Sequence, residues 1–180
     1  VHGMIQNQWW ERGATKYVSC TDDETQSLVS YGSPTPGVGH SASRLVTTSL
    51  ADELRIQGAT APRVVGISLK ARSAIGLVGH KPDAVIWLDE PTGQWATSTA
   101  FAKGTAPYFA AYIDAHPVKD EIGRTWDRAL PRDRYLYSGS PALRRKIALM
   151  TPEFPHVVKG TSAVMDSTFT DAWESSPYSD

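Results

Sequence analysis

Apolar positions in the first hundred residues alternate between short β-prone runs and stretches with helical spacing, which is the pattern of an α/β layered sheet. A β-prone run from residue 15 to residue 21 surrounds Tyr17 and Val18. Residues 32 to 43 hold Pro34, Pro36, Gly37 and Gly39 and read as an exposed loop. Val46, Leu50 and Leu54 then recur at i, i+4 and i+8, predicting a helix with Ser43 as N-cap and Gly58 at its end. The apolar run from Arg63 to Leu69, bounded by Pro62, predicts a buried parallel strand. Residues 71 to 78 predict a short helix ended by Gly79, and residues 84 to 88 a second buried strand. Together these three make a strand-helix-strand unit with short connections.

Beyond residue 100 the texture changes. Tyr108, Phe109, Tyr112 and Ile113 give one helix face, while Pro117, Pro131, Pro141, Pro152 and Pro155 break the rest into short pieces. Residues 1 to 100 therefore read as part of an α/β core domain, and residues 101 to 180 as a cap-like insertion leading back to it. No internal repeat is present.

Composition narrows the range of functions. With 180 residues, 41% of them hydrophobic, the chain can bury the core of one domain or part of one. A net charge of -1 lacks the basic footprint that a nucleic-acid polymer requires of its partner. Cys20 is the only cysteine, which excludes an internal disulfide and a thiolate metal cluster; it reads as a buried small side chain. No apolar run reaches the roughly eighteen residues of a membrane span. The first residues have neither a basic nor an apolar leader region and no initiator methionine, and the last close a polar stretch. Both ends suggest an internal or processed piece of a longer chain.

Open α/β sheets gather ligand groups outside the carboxyl ends of their strands. The strand ending at Leu69 delivers Lys70 and Arg72 to such an edge, two cations that can face one anion, the arginine with a bidentate grip and the lysine as a point charge. The competing reading is that both are solvated surface charges flanking a strand.

Two segments carry a family resemblance. Val1-His2-Gly3-Met4-Ile5-Gln6-Asn7-Gln8-Trp9-Trp10 resembles the His-Gly-Ile-x-x-Asn-x-Trp-Tyr segment of the alkaline phosphatase superfamily. Ser68-Leu69-Lys70-Ala71-Arg72-Ser73-Ala74-Ile75 resembles the Ser-x-Lys-x-Arg-x-Ala segment of its bacterial phosphomonoesterase branch, related to type I phosphodiesterase/nucleotide pyrophosphatase. Their mutual spacing, the run from Gly79 to Trp87 and the Thr97-Ser98-Thr99 element are similar as well. The resemblance implies a three-layer alkaline-phosphatase-like sandwich, present here only in part. It implies that Asn7, Lys70 and Arg72 bind the substrate phosphate: the asparagine amide donates to a non-bridging phosphoryl oxygen, and the cation pair reaches the same oxygens directly or through water.

The same resemblance implies a zinc-dependent phosphatase, with two zinc ions and a threonine nucleophile in the intact enzyme. The nucleophile precedes the segment that opens this chain. The Asp-x-x-x-His and Asp-His patterns that supply zinc ligands are absent from the sequence, so no catalytic residue and no metal ligand is assigned to it. Implied partners are a small-molecule phosphate ester and the remainder of the chain's own polypeptide, and the implied location is periplasmic or secreted. A type I phosphodiesterase/nucleotide pyrophosphatase and a non-catalytic anion-binding fragment are the alternatives; the Lys-x-Arg pair favours monoesters. Thr35-Pro36-Gly37-Val38-Gly39-His40 superficially resembles the family's nucleophile turn but follows Asn7 instead of preceding it. His80 reads as a structural histidine at a strand start. The six tryptophans could stack on a nucleoside, although core packing is their commoner use.

Overall fold

The computed structural model describes residues 6–58, 60, 62–136, 153–162 and 165–179. The His2-Gly3 part of the first motif, Pro141 and Pro152 lie outside them. The chain divides into two compact units: Val1–Asp89 with Gln94–Asp114, and Glu90–Gly93 with Ala115–Asp180.

The first unit begins with a hairpin, β1 (Gln8–Glu11) and β2 (Lys16–Ser19), in which Trp10 faces Tyr17 across the ladder with ring centroids 5.3 Å apart. Five strands follow in one mixed sheet: β3 (Asp22–Ser30), β4 (Val38–His40), β5 (Val65–Ser68), β6 (Ala84–Asp89) and β7 (Gln94–Ser98). Their order across the sheet is β4-β3-β7-β6-β5, with β5 and β6 parallel and the other pairs antiparallel. The parallel pair is joined by helix α2 (Ala71–Val78), as a strand-helix-strand pattern requires. Helix α1 (Leu50–Gln57) precedes β5, and the unit closes within the last turn of α3 (Pro107–Ala115), at Asp114.

One apolar cluster organises this unit. Ala74, Ile75 and Val78 of α2 pack on Val85 and Trp87 of β6, with Ala42, Leu45, Val64 and Ala96 around them. Gly66 of β5 permits the close approach, since a Cβ there would stand 2.3 Å from Val78 Cγ1. Gly79, the C-cap of α2, has φ +73°, and a Cβ there would stand 2.1 Å from Asp52 Oδ2. Both the backbone angle and the crowding require glycine.

Several elements differ from the sequence-based expectation. The Val46, Leu50 and Leu54 stripe is 72%, 74% and 54% exposed, so it is not the face α1 turns to the core. The helix starts later than its apolar period suggested because Ser49, not Ser43, caps it: Ser49 Oγ accepts from the Asp52 N–H, and the Asp52 carboxylate accepts from the Ser49 N–H. β4 lies within the stretch read as a loop, and β1, β3 and β7 appear where no strand was expected. β5 is parallel as expected but not buried: among the described residues it ends the sheet, and Val65 and Ile67, on the face opposite Gly66 and α2, are about half exposed.

The second unit has two 3-10 turns (Val118–Glu121 and Arg132–Arg134), a two-stranded ladder of β8 (Thr125–Trp126) and β9 (His156–Val157), and helix α4 (Ser167–Glu174). The Asp166 carboxylate caps α4, accepting from the Phe169 N–H at 2.8 Å. Phe169, Thr170, Ala172, Trp173 and Val158 are buried, and Trp126, Phe154 and His156 pack ring against ring.

Two substitutions in one helix separate backbone strain from helix propensity. Gly79→Ala is expected to lower the unfolding free energy in urea by about 2–4 kcal/mol. Gly76→Ala, at an exposed α2 position with nothing within 4 Å of the added carbon, should raise it by about 0.5–1 kcal/mol. Equal effects of the two would refute the account of Gly79.

Candidate functional site

Lys70 and Arg72 stand where β5 gives way to α2. Lys70 is the N-cap of the helix, with extended backbone (φ -127°, ψ 133°), and its carbonyl accepts from the N–H groups of Ser73 and Ala74, each at 3.1 Å. Its own N–H reaches Ser68 Oγ at 3.4 Å. Lys70 is half-buried and Arg72, in the first turn, is exposed. The first turn of α2 carries no acidic residue, so the positive end of the helix dipole coincides with two cationic residues, Lys70 and Arg72.

Asn7 lies at the bend that enters β1, and its side chain is exposed. Its carbonyl accepts from the Cys20 N–H at 2.9 Å, which ties the bend to the end of β2. Cys20 is buried, and burial pushes its thiol above the usual range, while the Arg72 charge nearby draws it part of the way back. Cys20 thus has Asn7 bonded to its backbone and Arg72 acting on its sulfur. Asn7 and the start of α2 both belong to the first unit, and the Arg72 charge is felt at Cys20, the residue whose N–H binds the Asn7 carbonyl.

The turn-like segment at residues 35 to 40 gives no catalytic arrangement. Thr35 Oγ1 donates to the Ser33 carbonyl, while the His40 ring packs edge-on against Trp87 and faces Thr21 Oγ1 at 3.1 Å through Nδ1. Burial holds the His40 pKa below its usual value, against the opposing pull of Asp22 and Asp89. A neutral, packed histidine fits that setting.

A different histidine is held more firmly. Nδ1 of His80 lies 2.9 Å from Asp52 Oδ2, its Nε2 lies 2.8 Å from the Leu45 carbonyl oxygen, and its N–H donates to Asp52 Oδ1 at 3.0 Å. Burial works to raise the Asp52 carboxyl, but hydrogen bonds from Ser49 and His80 outweigh it and bring the pKa down to about 2. The sequence contained half of this signal, in the Ser49-x-x-Asp52 capping box. Among the described residues no group of three or more His, Cys, Asp or Glu side chains could hold a metal ion, so the residues on view do not form a zinc site.

Comparison with known proteins bears on this arrangement. No family model matches the chain. Alkaline phosphatase PafA of Elizabethkingia meningoseptica is 31% identical over 160 residues, covering 87% of this chain and 29% of that protein. Alkaline phosphatase PhoV of Synechococcus elongatus is 26% identical over 162 residues, with 88% and 29% covered. A protein of Myroides odoratus named calcium-transporting ATPase is 28% identical over 140 residues, with 77% and 25% covered. The crystal structure of wild-type PafA superposes with a TM-score of 0.73 at 28% identity, over 98% of this chain and 32% of that one. This is part of an alkaline phosphatase fold. The chain spans about a third of the length of the relatives it matches. A second PafA structure, a variant in which a threonine, an asparagine, a lysine and an arginine are replaced, superposes with a TM-score of 0.71.

The thiol supplies a probe of Arg72 that needs no substrate. Native Cys20 should react with a thiol reagent at least about tenfold more slowly than in the unfolded chain. Arg72→Gln should move the thiol titration further up, with the difference shrinking at high salt. An unchanged titration would show that the guanidinium does not face Cys20.

Proposed function

We propose that this chain is the phosphate-holding segment of a phosphatase-type hydrolase that acts on phosphate monoesters. The observation that carries the reading is the placement of Lys70 and Arg72 at the junction of β5 with the N-terminal end of α2, where the helix dipole is positive and the first turn holds no acid. Further support comes from the PafA variant. Its substituted asparagine, lysine and arginine follow the order of Asn7, Lys70 and Arg72, with the lysine and arginine again two positions apart.

The chemistry asked of these residues is positioning and charge stabilisation. Phosphoryl transfer spreads charge over the equatorial oxygens, and donors fixed in advance towards those oxygens lower the barrier without reorganising. The Asn7 amide would donate one hydrogen bond, Arg72 a forked pair, and Lys70 a compact charge. A diester presents one non-bridging oxygen fewer, so the same cations favour the dianionic monoester.

The threonine nucleophile and two zinc ions belong to this proposal for the whole enzyme, as do a periplasmic or secreted location and a role for residues 101 to 180 as a cap-like insertion. No step through a metal is derived from the residues described. A reading as a type I phosphodiesterase/nucleotide pyrophosphatase is the alternative that the test must separate.

In the intact enzyme, Lys70→Ala and Arg72→Ala should each lower kcat/KM for an aryl phosphate monoester by about 10²–10³-fold. The loss on a matched diester should stay within about tenfold. Equal losses on both substrates would remove the monoesterase assignment.

A further inference from the structure

The two ring nitrogens of His80 face two groups that can only accept. Nδ1 meets the Asp52 carboxylate and Nε2 meets the Leu45 main-chain carbonyl, at 2.9 and 2.8 Å. A neutral imidazole owns one N–H and can satisfy one of these contacts, leaving a lone pair against an oxygen at the other. Only the doubly protonated ring satisfies both. The side chain is 40% exposed, so water also helps to carry the charge.

The location gives this ring its importance. His80 follows Gly79, whose N–H closes the last turn of α2 onto the Ile75 carbonyl at 2.8 Å. Asp52 and Ser49 form the N-terminal capping box of α1, and Leu45 lies in the segment leading to it. One histidine ring thus joins the end of α2 to the start of α1 and to the segment before it. The opposite end of α2 bears Lys70 and Arg72, and eight residues of helix make a rod of only about 12 Å.

We propose that doubly protonated His80 is a pH-operated latch that fixes α2 against the start of α1, and that its deprotonation loosens the helix that presents Lys70 and Arg72. The latch itself stands on hydrogen-bond geometry; its importance for a phosphate site rests on the function proposed above. Asp52 is the charged side chain that acts on His80 from α1, and the Leu45 segment offers a carbonyl. On the chain that follows, Lys81 is exposed and the Asp83 carboxylate is engaged by Arg55 and by the Val64 N–H. Glu53, next to Asp52, is bound to Thr48 and Gln57.

The direction of the pH effect follows from these partners. The hydrogen bond to Asp52, chiefly, and that to Leu45 raise the His80 pKa above 6.5, against the effect of burial. The stabilisation is therefore complete below 6.5 and is lost as pH rises through the higher folded value. Asp52 acts in the opposite sense: its contribution is complete above 3.8 and fails as pH falls towards 2. The latch is fully closed between those limits, from about pH 4 to about pH 6.5. Above it, α2 keeps its apolar anchors, Ala74, Ile75 and Val78, so the release is local.

The test is an NMR titration of the isotopically labelled chain from pH 5 to pH 10. At pH 6 both His80 ring nitrogens should carry protons. Exchange of the Ala74 and Gly79 amides, corrected for intrinsic base catalysis, should quicken by about tenfold as the ring deprotonates, and the Lys70 and Arg72 amide signals should shift over the same step. His80→Gln, which carries no charge and can set its amide N–H groups against only one of the two acceptors while its oxygen meets the other, should exchange fast throughout and show no step. A neutral His80 at pH 6, or α2 protection and Lys70 and Arg72 signals that pass through the ring titration unchanged, would overturn the proposal, and wild-type chain alone suffices to show either. Inorganic phosphate is added in a separate arm: if it leaves the Lys70 and Arg72 amides unmoved, the phosphate-site reading fails while the latch result stands.

Discussion

The burial of one face of α2 on β6 is the contact on which the rest of the first unit depends. Ile75 is wholly inaccessible, and Ala74, Val85 and Trp87 nearly so; fully burying a side chain the size of isoleucine or valine is worth about 1.5–3 kcal/mol. Gly66 allows the helix to settle onto the strand, and Gly79 allows its end to pass the Asp52 carboxylate. Because α2 is held in this way, the residues at its other end leave the sheet in a fixed direction. Lys70 and Arg72 stand at the start of a helix that apolar packing anchors a turn or two away. A rigid mount of this kind is what electrostatic catalysis requires, since a donor that must reorganise at the moment of reaction forfeits most of its effect.

The legible parts of the fold were those in which local sequence and global position agree. Helix α2 shows its apolar positions, its glycine stop and its strand neighbours within twenty residues, and its bounds could be read directly. The apolar stripe of α1 misled because Val46, Leu50 and Leu54 keep helical spacing without facing the core, while the capping box at Ser49 and Asp52 sets the true start. Strand β3 was hidden by its polar side chains: Asp22, Asp23, Glu24 and Thr25 suit a strand whose pairing is supplied by β4 and β7, and no single-strand pattern reveals a partner seventy residues away.

The candidate site divides in the same manner. Lys70 and Arg72 could be selected from spacing and strand position, and Asn7 only through the resemblance that its segment carries. What sequence could not supply is proximity. The bond from the Cys20 N–H to Asn7 is closed by the β1–β2 hairpin, and the grip of His80 on Asp52 joins residues 28 positions apart; neither pairing is announced by a local pattern. A net charge of -1 hides this arrangement too, because it averages a cationic helix start with acids that are engaged elsewhere, Glu24 by Lys16 and Asp83 by Arg55.

The position of β5 has a practical side. Among the described residues it ends the sheet, with one row of main-chain donors and acceptors facing outward and Val65 and Ile67 left about half exposed. No lysine, proline or bulge guards the four residues of the strand itself. In the described residues this rim offers a template on which a further strand can pair. In the isolated chain, a single lysine introduced at Val65 or Ile67 would place a charge on that rim without touching the face packed on α2.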